Sequence, residues 1–235
     1  QGRDPRFYHD IVFDGFQYLH GAAGDREPYR FCELYTGGNM RPVANGSRTG
    51  YFIQKLVPHT CNVVDRDYDW GSAVHTYLPY MRLADVYLMY AEAAAAKDAG
   101  SSRSNKASNC TLTSEAAINK VRARVGAGGV HPKFTGNAYM DEIRRERAVE
   151  LMFEGHRFSD LQRWLLLTEA PYTIKTSQEF DRVLSDDWYT SGKNDPRDAQ
   201  VANWREEVIL ERVFGTKHYW FPLPDSEVYL YEAFA

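Results

Sequence analysis

The sequence predicts a mainly α-helical fold with long irregular loops and a few short strands. Residues 80–97, 118–126 and 143–164 each have apolar residues at helical spacing. Elsewhere Gly, Pro, Asn and Asp interrupt any periodicity, which is typical of loops. With 235 residues and 43% hydrophobic content, the chain is long enough to bury a core as one domain. We divide it into a loop-rich segment with short strands (1–79), a helical core (80–170) and a loop-rich closing segment (171–235).

The first segment predicts short strands joined by loops. Asp14 and Gly15 lie among β-branched and aromatic residues in IVFDGFQYL, and Asp-Gly favours a tight turn, so we expect a hairpin within residues 1–19. Residues 20–49 are rich in Gly, Arg, Asn and Pro and are predicted to be loop, with one short strand near 29–35. The alternating sequence YFIQKLV at 51–57 predicts another strand.

The helical core begins with the clearest helix of the sequence, at residues 80–97. Its predicted apolar face consists of Leu83, Val86, Tyr87, Tyr90, Ala91 and Ala94. After a polar loop, Thr113 or Ser114 is expected to cap a second helix, whose narrow apolar stripe ends at Gly126. A helix, a loop and a helix in this order resemble a tetratricopeptide-like pair.

Residues 143–164 interleave apolar and ionised residues more regularly than any other stretch. They predict two helices, the first ending at Gly155, because glycine accepts the positive φ of a helix C-cap. The ionised residues that we assign to one charge network are Glu146, Arg147, Glu150, Glu154, Arg157, Asp160 and Arg163. Arg122 and Arg124 of the preceding helix are expected to contact the acids of this network.

Glu146, Glu150 and Glu154 are spaced four residues apart on one helix face, which would also suit paired-carboxylate acid–base chemistry. Neighbouring arginines, however, give each carboxylate a guanidinium partner that lowers its pKa, whereas a general acid needs a raised pKa. We therefore interpret the network as a structural link between helices. His156 in the same stretch is interpreted as a structural histidine and not as a catalytic base.

The closing segment has weaker patterns. Residues 176–184 predict a short helix, and residues 185–202 predict a loop that contains Asp, Gly and Pro. Trp188 and Tyr189 in this loop form a second candidate ligand surface. The proline-containing C-terminal tail is expected to be extended before a last turn.

Composition and motifs exclude several functional classes. A formal net charge of −4, without a basic cluster or interleaved aromatic and basic residues, gives no support for nucleic-acid binding. No apolar run is long enough to span a bilayer. We find no GxSxG, P-loop, HExxH or Rossmann glycine pattern, and no zinc-ligand spacing among the three cysteines. We therefore expect no catalysis, no cofactor and no metal centre.

Alternating aspartates in the loop before the first helix suggest calcium. Asp65, Asp67 and Asp69 have the spacing of the start of an EF-hand loop, but Trp70 occupies the position that needs glycine. No acidic residue lies at the twelfth position either, so the sequence disfavours an EF-hand. An irregular cation site and a set of solvated acids remain the two alternatives for these residues.

The same loop and its neighbours place flat aromatic rings beside short polar groups. Sugars stack their C–H faces on aromatic rings, and their hydroxyls need nearby donors and acceptors. The candidate ligand-binding residues are Trp70, Tyr68, Asp67, Tyr77, Tyr51 and Arg48. Trp70 ranks first because it lies in the most polar part of the loop. The alternative is that these rings pack on the helical body.

Three blocks of the sequence resemble the C-terminal part of the SusD/RagB family of outer-membrane nutrient-binding lipoproteins. They are YMRLADVYLMYAEAAAA at 80–96, INKVRARVG at 118–126 and ERAVELMFEGHRFSDLQRW at 146–164, in the order and spacing of the family. Shorter similarities flank them at 4–15 and 218–228. Family members are considerably longer, so the resemblance implies that their N-terminal part, with the lipid anchor and most helix pairs, lies outside this sequence.

The resemblance implies a SusD-like fold and a non-catalytic function. A protein of this kind captures a polysaccharide or oligosaccharide at the cell surface and passes it to a SusC-like TonB-dependent transporter. The implied location is the outer membrane, reached only through the lipid anchor. Two alternatives remain open: capture of peptides instead of glycans, and a helical scaffold for a transporter partner without a small-ligand site.

Overall fold

The computed structural model describes residues 2–21, 23–57, 77–98, 100–222, 224–228 and 230. The helices are α1 (Pro5–Asp10), α2 (Leu83–Ala96), α3 (Ser114–Arg124), α4 (Gly136–Glu150), α5 (His156–Arg163), α6 (Asp186–Thr190) and α7 (Asp225–Val228). Strand β1 (Ile11–Val12) pairs antiparallel with β2 (Phe52–Ile53), and β3 (Ile174–Arg182) pairs antiparallel with β4 (Val201–Glu211). Short 3-10 helices span Gly24–Tyr29, Pro196–Asp198 and Thr216–Tyr219. The prediction of a mainly helical fold is confirmed.

The main core lies between α2, α3 and α4. Leu88, Ile118 and Ile143 are fully buried there, one from each helix. Burial of a side chain of this size contributes about 1.5–3 kcal/mol. Ser114 joins the same three helices by hydrogen bonds, because its hydroxyl donates to the Ala91 carbonyl at 2.6 Å and is 2.8 Å from the Tyr139 hydroxyl. The small alanines of α2 allow this close approach.

Helix α2 begins at Leu83, later than predicted, and buries a different face. Asp85, Leu88 and Ala91 are buried, whereas Leu83 and Val86 of the predicted apolar face are 66% and 42% exposed. The difference arises because Asp85 forms an ion pair with Arg147 of α4, and this contact turns a carboxylate towards the interior. The predicted cap of α3 is confirmed, since the Thr113 hydroxyl oxygen accepts a hydrogen bond from the Ala116 amide at 3.1 Å.

Helices α4 and α5 correspond to the two helices predicted in residues 143–164, but the role predicted for Gly155 is wrong. Helix α4 already ends at Glu150, and Gly155, with φ of +85°, is the residue that begins α5 as its N-cap. The positive φ that favours glycine is therefore used at the start of the second helix.

The N-terminal segment does not form the predicted hairpin. Residues Pro5–Asp10 are helical, because Pro5 suits the first helical position and the Asp4 carboxylate accepts a hydrogen bond from the Arg6 amide at 2.9 Å. The turn at Gly15 is present with φ of +78°, but β1 before it pairs with β2, some 40 residues later, in the predicted 51–57 strand region. The strand expected near 29–35 is a single bridge between Gln17 and Phe31.

A second, smaller core lies in this segment. Val12, Cys32, Leu34 and Met40 are buried together. Burial, with the nearby Asp14 carboxylate, raises the pKa of the Cys32 thiol to about 12, so the thiol stays protonated at neutral pH. Cys32 thus acts as a small apolar core residue.

The predicted helix at 176–184 is wrong, because this stretch is the strand β3. Ser177 and Glu179 face the protein interior and contact Arg41, whose guanidinium donates to the Ser177 hydroxyl at 2.8 Å and forms an ion pair with Glu179. Alternate residues therefore face inwards, which is the periodicity of a strand. The predicted loop at 185–202 contains α6 and leads into β4, which the sequence did not predict.

Candidate functional site

The carboxylate of Glu146 on α4 is fully buried and contacts arginines from two other helices. It accepts a hydrogen bond from Arg6 Nη1 of α1 at 2.6 Å and from Arg122 Nη1 of α3 at 2.7 Å. Removing one partner from a buried ion pair leaves an uncompensated charge, which is strongly unfavourable. These contacts therefore fix α1 and α3 on α4.

Glu150 and Glu154 extend the network towards the loops on either side of the helical core. Arg82, immediately before α2, donates to Glu150 at 3.0 Å and to Glu154 at 2.7 Å. Lys55, just after β2, donates to Glu154 at 2.6 Å, and Arg124 of α3 donates to Glu150 at 2.9 Å. Arg6 of α1 also donates to Glu150 at 3.0 Å, so charge-assisted hydrogen bonds from four cations surround the two carboxylates.

The cations determine the protonation state of both carboxylates. Burial raises the pKa of Glu150, but hydrogen bonds from Arg82 and Arg6 and the charge of Arg124 outweigh burial and hold that pKa below its ordinary value. At Glu154, Arg82 and Lys55 outweigh burial in the same way, so the pKa of Glu154 is lowered too. Both groups are ionised at neutral pH and are unsuited to donate a proton as a general acid.

Arg147 joins α4 to two further helices. Its guanidinium forms ion pairs with Asp85 of α2 and, at 2.7 Å, with Asp160 of α5. Asp160 also accepts a hydrogen bond from Arg163 at 3.0 Å, and Arg163 reaches Glu92 of α2 at 2.5 Å. The network thus contacts α1 to α5, and the side chains of Arg147 and Asp160 are almost fully buried.

Most residues of the network named from the sequence lie together, but Arg157 does not. Its guanidinium lies 5.3 Å from the ring centroid of Tyr172. His156 is half-buried at the first position of α5. Arg122 and Arg124 contact the acids as predicted.

Several members of the network were missed by the sequence analysis: Asp4, Arg6, Lys55, Arg82, Asp85, Glu92 and Glu142. Local spacing contains no signal for most of them, because Arg6 and Glu150 are 144 positions apart and Arg82 and Glu150 are 68 positions apart. Asp85 and Arg82 are the exceptions, because they lie within the block at 80–96. There, an acid on the inner face of the helix was a signal that a buried cation would be its partner.

The predicted ligand-binding residues are only partly described. Trp70, Tyr68 and Asp67, together with the alternative cation residues Asp65 and Asp69, lie outside the described residues. Tyr77, where the described chain resumes, is 84% exposed. A ring with this degree of exposure does not pack on the helical body and is accessible to a ligand.

Tyr51 and Arg48 lie in two different surface recesses. Tyr51 is half-buried, edge-to-face with Phe7 at a centroid distance of 5.7 Å, and lines a recess of about 160 Å³. Arg48 lines a recess of about 430 Å³ with Arg41 and donates to the Ile209 carbonyl of β4 at 3.3 Å. The structure thus places these two candidates in different recesses, although they are three residues apart in sequence.

The second candidate ligand surface, formed by Trp188 and Tyr189, lies mostly in the protein core. Tyr189 is only 4% exposed, and the Arg182 guanidinium lies 3.9 Å from its ring centroid. Trp188 is half-buried and edge-to-face with Tyr189 at 5.0 Å. Tyr189 is therefore corrected from a candidate ligand residue to a structural one.

The described residues contain neither a membrane-spanning helix nor a metal-ligand cluster. None of their helices combines the length and apolar character needed to cross a bilayer. Across the same residues, no group of three His, Cys, Asp or Glu side chains is placed to hold a metal ion.

The sequence matches the SusD family model over residues 1–233. The chain belongs to the SusD family. No match is found among curated proteins. The three sequence blocks shared with the SusD family correspond to α2, the end of α3 and the α4–α5 pair, which are the elements that supply most of the buried charge network.

Solved structures agree with this fold. A SusD-like protein from Bacteroides fragilis has 24% sequence identity and a TM-score of 0.69, with 99% of this chain and 38% of that chain covered. A SusD-like carbohydrate binding protein from the same species has 22% identity and a TM-score of 0.58, with 97% and 40% covered. The chain therefore spans about two fifths of the length of these SusD-like structures.

Proposed function

We propose that this protein binds a polysaccharide or oligosaccharide at the bacterial outer membrane without chemical conversion and passes it to a SusC-like TonB-dependent transporter. The observation that supports this most directly is the SusD family match over residues 1–233. A structurally similar protein, described as a SusD-like carbohydrate binding protein, supports glycan as the ligand class.

The charge network supports binding without catalysis. The most prominent acids of the chain, Glu146, Glu150 and Glu154, each contact arginine, and Glu150 and Glu154 have lowered pKa values. Hydrolysis of a glycosidic bond needs one carboxyl group that is protonated near neutral pH. In the described part of the chain these acids serve to hold helices together.

We assign the glycan contact to the loop around Trp70, with Tyr68, Asp67 and Tyr77, and with Tyr51 and Arg48 as more distant contributors. The exposed ring of Tyr77 supports the assignment, because a sugar stacks on a ring only where the ring face meets solvent. Aromatic faces supply affinity, and the Asp and Arg side chains supply directed hydrogen bonds to hydroxyl groups.

A tryptophan-fluorescence titration of the full chain tests the proposal. The probes are starch, xylan, mannan, galactan and mucin glycans, with a casein digest as the peptide probe. We expect saturable binding of one glycan class and, for Trp70→Ala, roughly tenfold weaker affinity. Trp220→Ala is the matched control, since Trp220 is 79% exposed and lies outside the proposed site. Binding of peptide alone would reassign the ligand, and no binding to any probe would refute capture.

The transporter partner is tested separately. Affinity purification of the protein from crosslinked outer membranes is expected to recover a TonB-dependent transporter at near-equal amounts. Recovery of the protein alone, with glycan binding intact, would remove the handover step from the proposal.

A further inference from the structure

A cleft of about 310 Å³ lies on the N-terminal segment, away from the charge network. Its lining residues are Tyr18, Leu19, Arg26, Tyr29, Asn39, Met40, Asn45, Gly46 and Phe52. Three aromatic rings, two amides and one guanidinium therefore border a single concave space. The volume is near the lower end of the range of about 300–1,000 Å³ that is typical of small-ligand sites.

The two tyrosines have the exposure that stacking requires. Tyr18 is 40% exposed and Tyr29 is 47% exposed, whereas Leu19 and Met40 of the same cleft are buried at 9% and 8%. Part of each tyrosine side chain is thus covered by the protein, and the rest is accessible to solvent. Apolar side chains provide the buried part of the lining, and the rings provide flat faces beside it.

Arg30 holds the tyrosine side of the cleft in place. Its guanidinium donates to the Leu19 carbonyl at 3.1 Å and to the Gly21 carbonyl at 2.8 Å, and it pairs with Glu27 at 2.5 Å. Its backbone carbonyl accepts from the Tyr18 amide at 2.8 Å. The strand-like segment with Tyr18 and the 3-10 helix that ends at Tyr29 are therefore tied together before any ligand binds.

The opposite side is also ordered by hydrogen bonds. The Asn39 side-chain amide donates to the Pro28 carbonyl at 3.4 Å, and the turn that contains Asn45 is closed by a bond from the Ser47 amide to the Met40 carbonyl at 2.8 Å. A preformed site loses less conformational entropy on binding than a flexible one. Both sides of the cleft meet this condition.

The polar groups of the cleft suit hydroxyl groups. Asn45 and Arg26 are exposed at its border and present amide and guanidinium donors, and each Asn also presents a carbonyl acceptor. Of the described residues that line the cleft, none is Asp, Glu or His, so it contains no general acid or base. The chemistry of the cleft is that of binding.

We propose that this cleft is a second carbohydrate-binding site, in which one pyranose ring of an oligosaccharide stacks on Tyr29, the more exposed of the two tyrosines, and its hydroxyls contact Asn45, Asn39 and Arg26. The inference rests on the proposed glycan capture. It adds a contact from residues that are not among those proposed for the first site, Trp70, Tyr68, Asp67 and Tyr77. A chain of sugars bound at two points gains affinity by multivalency without any new type of contact.

The test is isothermal titration of the full chain with the glycan that binds best in the titration above, in parallel for four variants. Tyr29→Ala is expected to weaken binding roughly five- to tenfold, and Tyr29→Phe to keep nearly full affinity, because the ring face remains. Asn45→Ala is expected to weaken binding about threefold through loss of a hydrogen bond. Tyr80→Ala is the matched control, because Tyr80 is fully exposed and outside the cleft.

The outcomes separate this inference from the general proposal. If Tyr29→Ala and Asn45→Ala bind the glycan with the affinity of the wild type, the second site is overturned and glycan capture remains intact. Absence of binding by the wild type to every glycan would refute capture itself. A fall in affinity for Tyr29→Phe equal to that for Tyr29→Ala would also overturn the stacking geometry. Circular dichroism of each variant establishes that the fold is retained.

Discussion

Arg182 on β3 and Asp14, which are 168 positions apart, form a bidentate ion pair: Arg182 Nε is 2.8 Å from Asp14 Oδ2, and Nη2 is 2.9 Å from Oδ1. The same guanidinium donates to the Cys32 carbonyl at 2.9 Å and lies over the ring of Tyr189. Both charged side chains are nearly buried, at 6% and 9% exposure. This pair joins the N-terminal turn to the β3–β4 hairpin.

Arg182→Lys is expected to destabilise the protein although it keeps the charge. Lysine lacks the planar fork that makes two parallel hydrogen bonds and stacks on a ring, and the loss is roughly 1–3 kcal/mol. Urea unfolding measures the difference. Arg205→Lys is the control, since Arg205 is about half-exposed and pairs only with Glu207 among the described contacts, so we expect a much smaller change in the free energy of unfolding. Equal effects of the two substitutions would contradict the role of the Asp14 pair.

Arg147→Met is expected to be among the most destabilising single substitutions in the helical core. It leaves Asp85 and Asp160 buried, the first without its guanidinium and the second with Arg163 alone. Removing one partner of a buried ion pair costs about 3–5 kcal/mol, measured as the free energy of unfolding.

Arg145→Met is the matched control for this substitution. It removes an arginine from the same helix, but the side chain is 54% exposed and the buried Glu142 carboxylate keeps its contact with Arg122 at 3.3 Å, so we expect a smaller loss, of about 1–2 kcal/mol. A loss for Arg147→Met no larger than for Arg145→Met would contradict the burial of the Arg147 pairs.

Acid is expected to weaken the fold through Glu150 and Glu154. The pKa of each is lowered from an ordinary value of 4.5, so the folded state binds protons less readily than the unfolded state. Their contribution is therefore complete above the unfolded pKa and is lost as the pH falls through the lower folded pKa. The urea midpoint should fall as the pH drops below the ordinary value of 4.5 and through the lower folded pKa values.

The double variant Glu150→Gln/Glu154→Gln isolates these two groups. It should be less stable at neutral pH and should show a shallower fall on acidification, because two of the titrating groups are gone. An identical slope in wild type and variant would assign the acid sensitivity to other carboxylates.

Thr113→Ala is expected to cost about 1 kcal/mol, because the Ala116 amide at the start of α3 loses its acceptor. Thr113→Ser keeps the hydroxyl and is expected to remain within about 0.5 kcal/mol of wild type. Thermal unfolding distinguishes the two variants, and similar losses in both would contradict the capping role.

The helices of the core were predictable because their signals are local, whereas α1 and α6 were not predicted. Apolar spacing marked α2, α3 and the α4–α5 pair, and a capping residue marked the start of α3 within one position. The pairing of β3 with β4 was missed because a helix and a loop separate the two strands in the sequence. In addition, the residues of β3 that face the interior, Ser177 and Glu179, are polar. A polar inner face gives no hydrophobic alternation for a sequence pattern to detect.

The candidate ligand sites show the same limit. Aromatic residues near polar ones identified the loop around Trp70, because those residues are close in sequence. The cleft of Tyr18, Tyr29 and Asn45 was not predicted, because a bridge between Gln17 and Phe31 and the turn after Met40 are needed to bring its sides together. Each ring alone resembles an ordinary surface tyrosine.

By itself the sequence determined the helical segments of the core, the α3 cap, the likeness to the SusD family and the pairing of the central glutamates with arginines. All of these depend on residues within a few turns of one another or on shared sequence blocks. Only the tertiary structure decided which distant residues complete the network, such as Arg6 and Lys55, which face of α2 is buried, and where the strands pair. The physical reason is that a buried charge must be paired wherever its partner lies in the chain, and spacing along the sequence does not encode that distance.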